Sequence, residues 1–426
     1  MKKFILIALA VLVTFTACKE HEDKINEVKI QAIVEGLPQA SVEILLVDKT
    51  HGTSYTAVTG ADGYAVFNLV AGLYEASSTF YKEAAIYNGI NSAISVTDAG
   101  PNNFTLDMVT STASQVIIKE LYIGGCMDDA DKQYLNDCYV ILYNNSPVEG
   151  DASKFTFGMS PGANSNATNP YFKDGQLTNT DFIPAWNAVW WFQTTVTIPP
   201  YSQIVIAING AIDHSATVSR SVDLSNADYV FYDPDVFNMA AKYPAPSASI
   251  PTSNYLQTYC YAQGKAWPLS SSSPAFFVFS PEVTTAEAFV SSPDNIDVPT
   301  NTASSCAKVP VDWVKDGIEV FNASAMDKNN KRFLSSVDAG YVVFTNKLGY
   351  SIYRNVDKEA TEALAENQGK LVYDYAGGTA DLENGSTDPS GIDAEASIAK
   401  GAHIIYKDTN NSTNDFHQRK VASIKK

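Results

Sequence analysis

Histidine, cysteine and positive charge are all scarce in this sequence. Five His and five Cys occur among 426 residues, and 29 Lys and Arg stand against 47 Asp and Glu, a net charge of -18. The spacings HExxH, CxxC, HxxxH, GxxxxGK[ST] and GxGxxG do not occur, so neither a zinc site nor nucleotide binding is indicated. The acidic balance repels phosphate backbones. We therefore predict a protein that is not an enzyme, needs no cofactor and binds no nucleic acid.

A long apolar run occurs in one place, the N-terminus. Two lysines precede an uncharged apolar stretch over residues 4–15, and Thr16 and Ala17 lead into Cys18. This order predicts a secretory signal peptide over residues 1–17, since a bilayer span needs about 20 apolar residues. A cysteine after Ala17 is typical of a lipobox, so we expect lipid on the Cys18 thiol. A non-lipidated secretory signal is the alternative.

Acidic residues follow directly behind Cys18. Residues 18–26 include Glu20, Glu22 and Asp23. This placement resembles the surface-export signal of Bacteroidetes lipoproteins, and a solvated linker is the alternative. The resemblance implies a lipoprotein of the outer membrane that faces the cell exterior. The lipid would be its membrane attachment, because two or three acyl chains give stable anchoring.

The composition favours β-sheet. Tyr and Phe number 23 and 20, and aromatic side chains fit a pleated surface well. Apolar residues take alternate positions from Val28 to Val34, and turn residues such as Gly63 separate such runs. We predict an all-β chain with one sandwich over residues 27–110 and a larger β domain with long loops over residues 115–426.

Two stretches resemble known β-sandwich modules. Thr59-Gly-Ala-Asp-Gly-Tyr-Ala-Val-Phe67, followed by Val70-Ala-Gly-Leu-Tyr-Glu75, is similar to prealbumin-like domains of the carboxypeptidase regulatory-like type. Ile117-Ile-Lys-Glu-Leu-Tyr-Ile-Gly-Gly125, followed by Tyr139-Val-Ile-Leu-Tyr-Asn-Asn-Ser146, resembles the start of a lamin-tail-like, immunoglobulin-type sandwich. The resemblance implies a spacer domain ahead of a larger domain. One or two surface helices are also expected, the clearest over residues 357–371.

Four cysteines remain behind Cys18, and an even number in an exported chain suggests disulfides. We predict the pairs that are nearest in sequence, Cys126–Cys138 and Cys260–Cys306. Buried thiols are the alternative.

Calcium is the ion that the acidic loops favour. Asp128, Asp129 and Asp131 lie between Cys126 and Cys138, and hard cations prefer carboxylate oxygens. These residues are therefore candidate ligands of a structural calcium ion. Because the spacing is not that of an EF-hand, a solvated acidic loop is the alternative.

Aromatic residues crowd together between positions 186 and 192. Trp186, Trp190 and Trp191 could stack on a ligand or anchor a partner if they are exposed. In a strand, however, Trp190 and Trp191 point to opposite faces, so part of the cluster is expected in the core. His214, near the end of a later strand, is a further candidate contact, although a buried structural histidine is the alternative.

Further landmarks carry a family resemblance. Asn209-Gly-Ala-Ile-Asp-His214, Val222-Asp-Leu-Ser-Asn-Ala-Asp228 and Asp408-Thr-Asn-Asn-Ser-Thr-Asn-Asp-Phe416, taken with the lipobox and both modules, resemble the Bacteroidetes lipoprotein family called domain of unknown function 4876. The resemblance implies a binding or accessory protein beside a TonB-dependent receptor. A structural or adhesive surface protein is the second hypothesis, and a metal-dependent polysaccharide hydrolase the third.

Overall fold

The structure is a computed structural model that describes residues 24–82, 85–111, 113–261 and 267–425. These residues contain 29 strands, and each of their α-helices has six residues or fewer. The predicted all-β class is confirmed. Cys18 and most of the acidic tether lie outside the described residues. Within the described part of the chain, no helix is both long enough and apolar enough to cross a membrane.

The first eight strands form a sandwich of two sheets. They are β1 (Asn26–Val34), β2 (Leu37–Pro38), β3 (Glu43–Asp48), β4 (Ser54–Val58), β5 (Tyr64–Leu69), β6 (Gly72–Lys82), β7 (Ala85–Val96) and β8 (Asn102–Ser111). One sheet has the order β5-β1-β8 and the other has the order β4-β3-β6-β7, while the end of β8 also pairs with β7. Every second residue of β1 from Val28 to Val34 is buried, as the alternation predicts.

The turn before β5 depends on a glycine. Gly63 has a φ of +77°, which side chains rarely adopt. A Cβ atom at this position would also lie 2.8 Å from the Cβ of Pro38. The turn between β4 and β5 therefore packs closely against the short strand β2.

The other strands build a larger sandwich. They are β9 (Val116–Tyr122), β10 (Cys126–Met127), β11 (Gln133–Tyr134), β12 (Tyr139–Asn144), β13 (Gly150–Asp151), β14 (Thr156–Met159), β15 (Phe172–Lys173), β16 (Gln176–Leu177), β17 (Phe182–Trp186), β18 (Ala188–Trp191), β19 (Thr197–Ile198), β20 (Gln203–Ala207), β21 (Tyr229–Phe231), β22 (Tyr255–Cys260), β23 (Ala275–Phe279), β24 (Ile296–Asp297), β25 (Cys306–Pro310), β26 (Val314–Asn322), β27 (Val342–Phe344), β28 (Ser351–Arg354) and β29 (Phe416–Arg419). The helices are α1 (Ala286–Ser291), α2 (Lys358–Ala363), α3 (Ala394–Ala399) and α4 (Ser412–Asp415).

Twelve of these strands form one folded sheet, in the order β27-β26-β23-β14-β18-β22-β21-β20-β12-β9-β28-β29. The sheet folds over so that its two halves enclose a core that includes Ile118, Val140, Phe157, Trp190 and Ile318. The strands β17, β25 and β24 form a separate small sheet. Ile183 and Val309 from this small sheet pack with Phe277 on the outer face of the folded sheet.

The helix predicted over residues 357–371 is shorter than expected. Asp357 caps α2 by accepting a hydrogen bond from the Ala360 amide, and the helix ends at Ala363. Leu364 then takes an extended conformation, with ψ at 113°, and a single 3-10 turn follows over residues 365–367. Alanine and charged residues favour a helix, but the extended Leu364 interrupts it.

A buried lysine stabilises the outer face of the folded sheet. The side chain of Lys119 is fully buried, and its Nζ lies 2.7 Å from Glu395 Oε1. The same ammonium lies 5.5–5.7 Å from the ring centres of Tyr143, Tyr353 and Tyr406. Carboxylate and aromatic faces together replace the water that the charge loses on burial.

A second buried charge cluster lies behind the domain linker. Arg354 on β28 forms ion pairs with Asp316 and Asp408, and its Nη1 lies 3.9 Å from Asp415. Asp408 also accepts a hydrogen bond from the backbone N–H of Ser114, which lies between β8 and β9. One guanidinium thus holds three buried carboxylates and, through Asp408, the segment that joins the sandwiches.

Candidate functional site

An open cavity of about 380 Å³ lies where the chain passes from β17 of the small sheet to β18 of the folded sheet. Trp186 is the last residue of β17 and pairs with Cys306, whereas Ala188 begins β18 and pairs with Cys260. Asn187 alone makes this change of sheet, with a φ of +68°. Asparagine tolerates this left-handed conformation better than most residues do. The sharp turn places Trp186 and Asn187 in the lining of the cavity.

Two indole rings line the cavity. Trp186 is half-buried, and its Nε1 donates a 2.9 Å hydrogen bond to the carbonyl oxygen of Ala303. Trp267 is 36% exposed, and its carbonyl oxygen accepts a hydrogen bond from the Asn187 side chain at 3.3 Å. The first ring is held in place by its own hydrogen bond, and the second is accessible to solvent.

Amide and hydroxyl groups complete the lining, together with Met159, Ala163 and Leu269. Asn164 is exposed, and its Oδ1 accepts a 2.7 Å hydrogen bond from Ser270 Oγ. Ser271 lies beside it, with its carbonyl oxygen bonded to Asn346. None of the lining residues that the structure describes carries a charge.

One larger cavity lies elsewhere and has another origin. The cavity of about 650 Å³ is lined by residues of both sandwiches, including Tyr81, Asp357 and Asp408. Asp408 is already bonded to Arg354 and to Ser114. We interpret this space as the gap between two docked domains.

The structure separates the three predicted tryptophans. Trp190 is 1% exposed and stacks on Phe231 at a centroid distance of 4.8 Å, so it belongs to the core. Trp191 points to the opposite face, where its Nε1 donates to Gln257 at 2.9 Å. Trp186 alone lines the cavity. Trp267, which was not among the predicted site residues, is the second ring. Its exposure could not be read from a single Trp that follows Gly264-Lys-Ala.

His214 is also placed away from the cavity. It is fully buried, its Nδ1 lies 2.7 Å from the Tyr134 hydroxyl, and its Nε2 is bonded to the Gly210 carbonyl oxygen. Burial lowers the pKa of His214 from its ordinary value, so the ring is neutral at pH 7. Both ring nitrogens are occupied, which makes this histidine structural.

The three candidate calcium ligands do not converge. Asp128 accepts hydrogen bonds from the backbone of its own turn, at Ala130 and Lys132. Asp129 binds Ser219, and Asp131 forms an ion pair with Arg220. Among the described residues no group of three His, Cys, Asp or Glu side chains is arranged to hold a metal ion. The calcium prediction therefore has no support from the geometry.

The predicted disulfides are not formed. The Cys138 thiol donates to the carbonyl oxygens of Ile123 and Leu135, whereas Cys126 Sγ lies 3.9 Å from Asp137. Cys306 is a thiol as well, 3.1 Å from the Tyr171 hydroxyl, so the pair with Cys260 is wrong too. Nearness in sequence misled the pairing, because the strands turn these side chains towards different partners.

One motif was missed in the sequence. Gly158-Met-Ser-Pro-Gly162 has the G-x-S-x-G spacing of a nucleophile elbow. In the structure Ser160 follows β14, is fully buried, and its hydroxyl has no partner among the described residues. A nucleophile elbow requires an exposed serine on a strand-to-helix turn, and no helix follows within residues 161–171. The spacing is therefore a coincidence of the β14 turn.

Fold and site together define an all-β protein of two sandwiches with an open, uncharged aromatic cavity. Residues 199–389 match the model of the family described as "Protein of unknown function (DUF4876)". The predicted resemblance to this family is confirmed over that range. No curated protein matches the chain significantly.

One solved structure shares the fold of this chain. A DUF4876 family protein from Bacteroides thetaiotaomicron is 18% identical and has a TM-score of 0.52, over 92% of this chain and 94% of that chain. It therefore shares the fold. A DUF3823 family protein from Parabacteroides merdae (12% identity, 41% and 92% coverage) has a TM-score of 0.16. The major pilin subunit of Bacillus cereus (11% identity, 72% and 100% coverage) has a TM-score of 0.17. Scores this low carry no structural argument.

Proposed function

We propose that the protein is a lipid-anchored outer-membrane binding protein that faces the cell exterior. It captures a small extracellular ligand and presents it to a TonB-dependent receptor. The observation that carries this proposal is the cavity formed by Trp186 and Trp267, because open aromatic surfaces with a few polar groups are typical of small-ligand sites.

The sequence supports the location. Cys18 follows an apolar stretch and small residues in the order of a lipobox, and acidic residues stand directly behind it. The described part of the chain starts at residue 24, and β1 opens the first sandwich, which lies in sequence between Cys18 and the cavity-bearing domain. A spacer of this kind would hold the cavity away from the membrane surface.

Purification from the native outer membrane tests the proposal. We expect the tagged protein to bring down a TonB-dependent receptor and to be cleaved by protease added to intact cells. The variant Cys18→Ala should be absent from the membrane fraction and should no longer bring down the receptor. The matched control Cys260→Ala keeps the lipobox and should retain both.

Other outcomes would contradict the proposal. If Cys18→Ala stays in the membrane, the anchor is wrong. If the wild-type protein comes down alone or as a polymer of itself, the structural or adhesive hypothesis replaces the uptake role.

A further inference from the structure

We infer that the cavity between Trp186 and Trp267 binds an uncharged carbohydrate. This inference rests on the proposed function for the assignment of the cavity as a ligand site, and it names the class of ligand. It is carried by three properties of the described lining. These are the absence of charge, the two indole side chains, and the amide and hydroxyl groups at the rim of the cavity.

The first property is the absence of charge. The chain carries a net charge of -18, yet all ten lining residues are uncharged. A cationic ligand would be drawn to acidic side chains, and an anionic ligand would need a basic side chain to overcome the field of the protein. Neither is provided among the described residues of this lining. The described part of the lining therefore favours a neutral ligand.

The second property is the pair of indole rings. Burial of an aromatic face against an apolar surface is favourable, and an indole also offers a polar N–H at its edge. The C–H face of a pyranose ring is an apolar surface of matching size. Because Trp186 Nε1 is already bonded to the Ala303 carbonyl oxygen, its ring is fixed before a ligand arrives. Such a fixed ring lowers the entropy that binding costs.

The third property is the polar rim. Sugar hydroxyls both donate and accept hydrogen bonds, so they need amide and hydroxyl partners beside the stacking face. Asn164 and Ser270 supply them, and their mutual hydrogen bond of 2.7 Å orients the two side chains. With Asn164 Oδ1 accepting from the serine, its Nδ2 remains as a donor that no described residue uses. A purely hydrocarbon ligand would leave the Asn164 Nδ2 donor unpaired.

The size of the cavity limits the ligand. About 380 Å³ is at the small end of the range for ligand sites, which is roughly 300–1,000 Å³. Since Trp267, Asn164 and Ala303 are exposed, the cavity opens to solvent. A short neutral oligosaccharide, or one segment of a longer chain, fits both the volume and the opening.

Binding to a defined set of sugars tests the inference. The mature protein would be titrated with malto-, cello-, xylo- and manno-oligosaccharides, and with oligogalacturonates and heparin oligosaccharides as charged probes. We expect at least one neutral series to bind and the charged probes not to bind. Trp267→Ala should weaken the neutral interaction about tenfold, while Trp267→Phe, which keeps an aromatic face, should retain most of it.

The remaining outcomes separate the two proposals. If the charged probes bind and Trp267→Ala abolishes that binding, the cavity is a ligand site but the ligand class is wrong. If neutral sugars bind equally to wild type and Trp267→Ala, the assigned site is wrong. If none of the sugars binds while the receptor still co-purifies, the carbohydrate inference fails and the uptake role stands. Unchanged thermal midpoints would show that the variants fold.

Discussion

The side-chain amide of Asn88 donates a 2.6 Å hydrogen bond to the carbonyl oxygen of Thr409. The donor lies on β7 of the first sandwich, and the acceptor lies before α4 of the second. Thr79 donates to Asn88 and accepts from Asn411 and Asn414, each at 3.0 Å. The two sandwiches are therefore joined by a polar seam, with Asn88 fully buried in it.

Removal of the Asn88 amide should loosen this seam. We expect Asn88→Ala to lower the free energy of unfolding by about 1–3 kcal/mol, because it leaves the Thr409 carbonyl oxygen unbonded in a buried place. Urea unfolding measures the change. The control Asn91→Ala lies on the same strand as Asn88 and removes an exposed hydrogen bond to the carbonyl oxygen of Thr105 on β8. It should lower the free energy of unfolding by less than about 0.5 kcal/mol. Equal losses would mean that the seam adds nothing to docking.

The Arg354 cluster predicts a dependence of stability on pH. Burial raises the pKa of Asp316, Asp408 and Asp415 to about 6 each. In the unfolded chain the pKa of Asp is about 4. Between about pH 4 and pH 6 these carboxylates therefore bind more protons in the folded protein than in the unfolded chain. The contribution of the cluster is present in full below about pH 4 and is lost as pH rises through 6. The cluster should therefore contribute more stability at pH 4 than at pH 7, whereas His417, whose pKa is lowered by burial to about 3, opposes this gain below about pH 6.5.

Asp415→Asn isolates one of the three carboxylates. Its Oδ2 accepts from the backbone N–H groups of Thr409 and Asn411, and its Oδ1 accepts from the Thr409 hydroxyl, which can rotate to accept from an amide instead. The variant should fold, and its thermal midpoint should change less in the stabilising direction on acidification than that of wild type. An identical pH profile would contradict the assignment.

The buried lysine gives a prediction of a different kind. Lys119→Met leaves Glu395 without its cation and the three tyrosine rings without their charge, so we expect a loss of about 3 kcal/mol. The double variant Lys119→Met/Glu395→Gln should recover part of that loss, since the uncompensated charge is gone. Losses that simply add would show that the two groups are not coupled. Chemical denaturation of the four proteins of this cycle provides the measurement.

The cysteines can be tested by labelling. Burial raises the pKa of Cys126 and of Cys306 to about 11, so little thiolate is available at pH 7. Iodoacetamide should react slowly with both in the native protein. In guanidinium without a reductant, Cys126, Cys138 and Cys306 should all be labelled. A cross-linked peptide that contains Cys126 and Cys138 would restore the disulfide prediction.

Local patterns predicted the strands well, because alternation from Val28 to Val34 reports directly on which face is buried. The same reasoning divided Trp190 from Trp191, since successive strand residues face opposite ways. The cavity was beyond such reasoning. Trp186 and Trp267 are 81 positions apart in the chain, and their meeting depends on a change of sheet at Asn187 and on how three strands pair. Disulfide pairing failed for the same reason.

The place of β29 in the large sheet bears on the order in which the chain folds. This strand, residues 416–419, pairs with β28, which in turn pairs with β9, and Ala422 is buried just beyond it. The first and last strands of the large sandwich are thus separated by a single strand in space but by nearly 300 residues in sequence. As the polypeptide is synthesised from its N-terminus, the first sandwich can close early, because all its strands lie within residues 26–111. The larger sandwich cannot complete its sheet until β29 has been synthesised. Its apolar strands therefore stay exposed to solvent until then.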